Sequence, residues 1–279
     1  LELAFRPPYD WDSWLEFMAY RAIPQVEDIH QGVYSRTLRL GGHSGWIRAR
    51  PKSTKIAVDI SHSLLPVLGD LLTRLRHLLD LDAEPQAIAA RLGDLYWPGL
   101  RVPGCLDDFE LAVRAVLGQQ VSVKAARTLA ARLVERAGEP IETPYPQLSR
   151  LFPDATALAT TQLGDGLGVT GARQKTLQAL CLAYLNGLSL SPSQDWESSE
   201  KQLLALPGIG PWTVQYLAMR ALRNPNAFPH SDLVLCKRQN LQPKELLKRS
   251  LAWSPWRAYA ALSIWKGDPS CNNIAIQVP

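Results

Sequence analysis

No two of the four cysteines, Cys105, Cys181, Cys236 and Cys271, stand in a CxxC pair. That spacing excludes a zinc ribbon and a disulfide scaffold, and it fits a reducing, cytoplasmic setting. The five histidines, His30, His43, His62, His77 and His230, show no metal-ligand spacing either. There is no apolar run long enough to cross a bilayer and no signal-peptide pattern, so no membrane partner is expected. Low-complexity segments and internal repeats are absent as well. The chain opens on Leu1 rather than Met, which reads as a trimmed chain or part of a longer one.

What is present is a foldable composition. Hydrophobic residues make up 46% of the 279 and charged residues 20%, so a packed core is expected and global disorder is not. The net charge of +4, with a pI near 8.9, is compatible with a polyanionic partner without demanding one.

The pattern changes once along the chain. Asp10 reads as the N-cap of a helix running to about Ala22. "GVYSRTLRL", "HSGWIRARP" and "KIAVDI" are short, β-branched or alternating, and are split by Gly-Gly and Pro-Lys-Ser, so they predict hairpin-connected strands. Leu64 to Leu81 has a helical apolar stripe. Residues 1–83 therefore predict a small α+β unit with an antiparallel sheet. Beyond it every patterned segment is helical, punctuated by Pro, Gly, Ser or Asp. Only the closing "SCNNIAIQVP" lacks a pattern and reads as a tail.

The segment that asks most is "LALPGIGPWTVQYLAMRAL". Gly208 and Gly210 permit positive φ and carry no side chain to hold another backbone away. The helix after them offers free N–H groups and a positive dipole end, which together suit a phosphate. At about 100° per residue, Val214, Leu217, Ala218 and Ala221 form one apolar face, and Trp212, Tyr216 and Met219 form the opposite one. Such a helix either lies deep between two layers or lines a cleft with flat aromatic walls suited to a base.

Followed by "FPHSDLVL", this segment resembles the helix–hairpin–helix DNA glycosylases, with Asp232 at the place of their catalytic aspartate. "RPPYDW", "PGCLDDFELAVRAVLGQQVSV" and "PWRAYAALSIW" narrow the resemblance to the alkylbase glycosylases of the 3-methyladenine DNA glycosylase II type, from Arg6 to about Trp265. The resemblance implies an α+β protein: the N-terminal unit, then a two-lobed helical core with a cleft between the lobes. Residues 108–223 would form the lobe with the hairpin. Residues 84–107 and 224–279 would form the lobe with the catalytic Asp. It implies a monomer that flips alkylated purines (3-methyladenine, 7-methylguanine) out of double-stranded DNA and removes them, with no cofactor required.

The residues carried over are these. Gly208, Ile209, Gly210 and Thr213 would seat a DNA phosphate, with Lys124 nearby, and backbone carbonyls near Leu206 and Gly208 can hold a sodium ion. Phe17, Trp212, Tyr216 and Trp265 match the aromatic base pocket. Gln120 matches the wedge that fills the gap left by the flipped base, where the best-known member has leucine. Leu233 and Lys266 replace tyrosines of that member, so this pocket is less aromatic. Strand-cutting relatives carry a lysine nucleophile at the position of Trp212, and indole forms no Schiff base. Iron–sulfur relatives carry four closely spaced C-terminal cysteines, which this chain lacks.

Some residues keep two readings. Asp232 before an apolar helix also reads as a plain N-cap. Because Asn caps about as well, Asp232→Asn is expected to cost little stability while abolishing excision. Arg36, Arg39, Arg48, Arg50, Lys52 and Lys55 form either a DNA-facing sheet or an ordinary solvated one. Ser122 reads as a helix cap.

Overall fold

The computed structural model describes residues 1–164, 166–190 and 195–267; the expected tail and Cys271 lie outside them. Five antiparallel strands form one sheet in the order β1-β5-β4-β3-β2. They are β1 (Glu2–Ala4), β2 (Glu27–His30), β3 (Val33–Leu40), β4 (His43–Lys52) and β5 (Lys55–Ile60). The three long strands match the expected hairpins. The two edge strands have little sequence signal: β1 has three residues, and the sequence of β2, Glu-Asp-Ile-His, carries little strand propensity.

Helix α1 (Trp11–Arg21) starts at Asp10, whose carboxylate accepts the Ser13 N–H at 3.0 Å. The Leu64–Leu81 stripe divides. A 3₁₀ stretch, His62–Val67, contains Pro66, and α2 runs only from Leu68 to Leu78. Pro66 has no N–H to donate, so the α-helical ladder begins after it. Trp14, Tyr34, Ile47, Val58, Leu71 and Leu75 pack one core between the sheet, α1 and α2.

The rest is helical: α3 (Pro85–Leu92), α4 (Asp108–Gly118), α5 (Val123–Ala137), α6 (Ala155–Thr160), α7 (Gly171–Leu185), α8 (Trp196–Leu204), α9 (Pro211–Arg220), α10 (Leu233–Gln239), α11 (Pro243–Ser250) and α12 (Arg257–Lys266). A second core joins α4, α5, α7 and the Val214/Leu217 face of α9, and it also takes in Ile23 and Val26 from the turn after α1. A third core holds Ala218 and Met219 of α9 with Phe228, Leu235, Leu246 and most of α12. Helix α9 thus lies between two cores, which is why it is apolar on two faces.

The basic strands are neither a bare DNA-facing sheet nor a simple solvated face. Arg36 is buried and pairs with Glu110 of α4 at 2.6 Å, while Arg114 bridges Glu27 and Glu110, each at 2.8 Å. Arg39 pairs with Glu139 and Asp154, Arg50 with Asp59, and Lys52 and Lys55 with Glu2. Arg48 stacks on Tyr145. These cations fasten the sheet to itself and to the helices.

Candidate active site

The hairpin between α8 and α9 uses its two glycines differently. Gly208 has φ +77°, which L side chains rarely adopt, and a Cβ there would collide with the Thr176 hydroxyl. Gly210 has φ −105° and open space where a Cβ would go, so the expectation of positive φ at both holds at Gly208 alone. Gly210 is the N-cap of α9 and carries no capping side chain. Val214 N–H already donates to Gly210 O, and Pro211 has no N–H. The N–H groups of Trp212 and Thr213 find no acceptor among the described residues. Gln119, which the sequence did not single out, braces the turn: its amide donates to Gly208 O at 2.9 Å and to Thr213 Oγ1 at 3.0 Å.

Asp232 sits at the N-terminus of α10 and is wholly buried. Its two oxygens are used unequally. Oδ1 accepts from Val234 N, Leu235 N and the Trp265 indole, at 2.9, 2.9 and 3.1 Å. Among the described residues, Oδ2 accepts only from the Trp212 indole, at 2.9 Å. One oxygen therefore caps the helix, and the other keeps an unused lone pair. Burial pushes the carboxyl above its ordinary range, against the opposing pull of these four hydrogen bonds. A raised folded-state value means that protonation favours the fold, so this group's contribution to stability grows as pH falls through that value.

The four aromatic residues expected in one pocket fall into two adjoining cavities. Phe17 and Trp265 line the larger, about 210 Å³, together with Lys124 and Lys266. Trp212 and Tyr216 line the smaller, about 60 Å³. Their rings stack on each other, with centroids 5.2 Å apart and planes at 12°, so the faces they turn to one another are already covered. Arg21 and Val123 belong to both cavities. Lys266, at the place of a tyrosine, lies over Trp97 and 3.6 Å from Asp10. Leu233, at the place of the other, is exposed and lines neither cavity. Gln120 is exposed with φ +55°, projecting from the turn before α5. Ser122 caps α5, accepting the Ala125 N–H at 3.2 Å.

A buried carboxylate that accepts from two indole N–H groups, close to a glycine hairpin, sits in a fold shared with DNA glycosylases of known structure. The fold is similar to that of a 3-methyladenine DNA glycosylase from Archaeoglobus fulgidus, with a TM-score of 0.83 over 98% of this chain and 100% of that one at 19% identity. Residues 1–107 match the family model of the AlkA N-terminal domain. The chain is 36% identical to Escherichia coli DNA-3-methyladenine glycosylase 2, covering 94% of this chain and 95% of that protein. It is 41% identical to a probable bifunctional transcriptional activator/DNA repair enzyme AlkA of Mycobacterium tuberculosis, of whose length it spans 56%. The chain belongs to the DNA-3-methyladenine glycosylase 2 family.

Proposed function

We propose that the protein is a monofunctional DNA glycosylase that flips alkylated purines, of the 3-methyladenine and 7-methylguanine type, out of duplex DNA and leaves an abasic site. The observation that carries this reading is the unequal use of the Asp232 oxygens, which leaves Oδ2 a lone pair in a water-excluded setting. N3- and N7-alkylated purines are cations and good leaving groups. When the glycosidic bond breaks, its electron pair stays with the base, and the sugar becomes oxocarbenium-like. A fixed carboxylate stabilises that charge. Water then bonds to C1′ and gives up a proton, which Asp232 can accept. One carboxylate suffices because the substrate supplies its own leaving-group activation.

In this reading the Trp212 and Thr213 N–H groups take a DNA phosphate, Lys124 adds charge beside it, and Gln120 fills the gap in the stack. Flipping costs a few kcal/mol, less at damaged bases. A sodium ion at the hairpin would add positive charge near that phosphate. Leu206 O already accepts from Ile209 N, and Gly208 O from Gln119, so each carbonyl keeps one lone pair for it.

Duplexes carrying 3-methyladenine, 7-methylguanine, hypoxanthine or 8-oxoguanine test the reading. Release of the alkylated purines is expected; binding without release from any duplex would make the protein a non-catalytic DNA-binding module. Trp212 at the lysine position predicts no strand cleavage, so borohydride should trap no covalent protein–DNA adduct during turnover.

A further inference from the structure

Arg21 stands at the seam of the two cavities. Its guanidinium lies 3.7 Å from the centroid of Phe17, donates from Nη1 to Phe17 O at 3.1 Å, and also interacts with the Tyr216 hydroxyl. Among the described residues, most of its five N–H donors remain without a partner. The arginines beside it are engaged. Arg220 donates to Pro103 O, Gly104 O and the Tyr216 hydroxyl. Arg114 is neutralised by Glu27 and Glu110. No carboxylate pairs with Arg21 among the described residues. Among the described residues, Glu16 is the only acidic one lining either cavity, against Arg21, Lys124, Arg127, Arg238 and Lys266 among others.

Such a field looks wrong for a cationic base, yet it is right for the bond that breaks. Whatever the base, cleavage moves an electron pair into it: a cationic purine leaves neutral, and a neutral base leaves as an anion that later takes a proton from water. A positive charge beside the base favours that flow in both cases. It differs in what it does to binding, because it repels the cation and not the neutral base.

We infer that Arg21 is a specificity-determining residue of this site, drawing the departing electron pair and thereby tilting selection toward neutral oxo-bases over cationic ones. This rests on the glycosylase reading above. Burial, helped by Arg220 and Arg114 and opposed by Tyr216, pushes Arg21 down to about 10, so it stays charged at neutral pH. Tyr216 lies below its ordinary value: burial raises it, and the charges of Arg220 and Arg21 outweigh burial.

Single-turnover excision from hypoxanthine and 7-methylguanine duplexes by wild type, Arg21→Gln and Arg21→Lys tests this. With Arg21→Gln the maximal rate should fall about tenfold for both bases, the size expected of a nearby unit charge acting on a partial one. The ratio of rate to half-saturating concentration should fall for hypoxanthine and hold or rise for 7-methylguanine. Arg21→Lys, which keeps the charge, should recover most of the hypoxanthine rate. An equal fall of that ratio for both bases, or no change in either, overturns the proposal. A wild-type protein that releases neither base removes the glycosylase reading and the proposal with it.

Discussion

Asp232→Asn is expected to lower excision of 7-methylguanine by at least about 10²–10³-fold, the loss typical when a preorganised transition-state charge partner is removed. The structure also changes what the substitution should do to stability. From the sequence, Asn looked like an equivalent cap. In the fold, Oδ1 takes both helix N–H groups, and Oδ2 takes the Trp212 indole N–H. An asparagine that keeps its oxygen on the helix turns its NH₂ toward that indole, setting donor against donor in a buried place. Leaving a buried donor unsatisfied costs about 1–3 kcal/mol. The variant should therefore unfold at lower denaturant and still be folded at assay temperature. Trp212→Phe removes the opposing N–H, so in the double variant the two stability losses should fall short of their sum, while excision stays lost. Excision that survives in folded Asp232→Asn would take Asp232 out of the chemistry. The wild-type rate should fall on the acid side as Asp232 protonates, with a midpoint above the ordinary carboxylate range, because burial raises the group.

Much of this was legible in the sequence because it is local. A cap is a single residue before an apolar run, so Asp10, Ser122 and Asp232 could each be read from a few letters. The two-faced helix after Gly210 follows from periodicity, and its position between two cores follows from having two apolar faces. The buried ion cluster was not legible, because Arg36 and Glu110 are 74 residues apart and look like ordinary surface charges until the sheet meets α4. Gln119 was hidden for another reason. It sits beside Gln120 in "GQQ", and nothing local says which glutamine turns inward to hold the hairpin and which faces solvent. Trp212 and Tyr216 lie one turn apart on α9 and share a face by periodicity, but the pairing of Phe17 with Trp265 depends on how α1 meets α12. Arg21 also depends on packing: on α1 it is one basic residue in a last helical turn, and only the packing of α1 leaves it, among the described residues, without a carboxylate partner at the junction of two cavities.

The two hairpin glycines allow structure and binding to be separated. Gly208→Ala forces a side chain into positive φ and drives its Cβ against Thr176, whose hydroxyl is held by Ala172 O at 3.1 Å. Backbone strain alone costs about 1–3 kcal/mol, and the collision adds to it. The turn must shift, Gln119 loses its hold on Gly208 O, and both thermal stability and DNA affinity should drop. Gly210→Ala is different. Its φ suits any residue, nothing stands within 4 Å of the new Cβ, and the exchange also stiffens the unfolded chain. Its midpoint of unfolding should stay within a few degrees of wild type or rise. If a phosphate approaches the bare N-terminus of α9, the added methyl meets it, and affinity for an abasic duplex should fall severalfold with no loss of stability. An unchanged affinity in Gly210→Ala would mean that the backbone is bared at Gly210 for the helix corner alone, and that the phosphate is held elsewhere, with the Lys124 turn of α5 the next place to look.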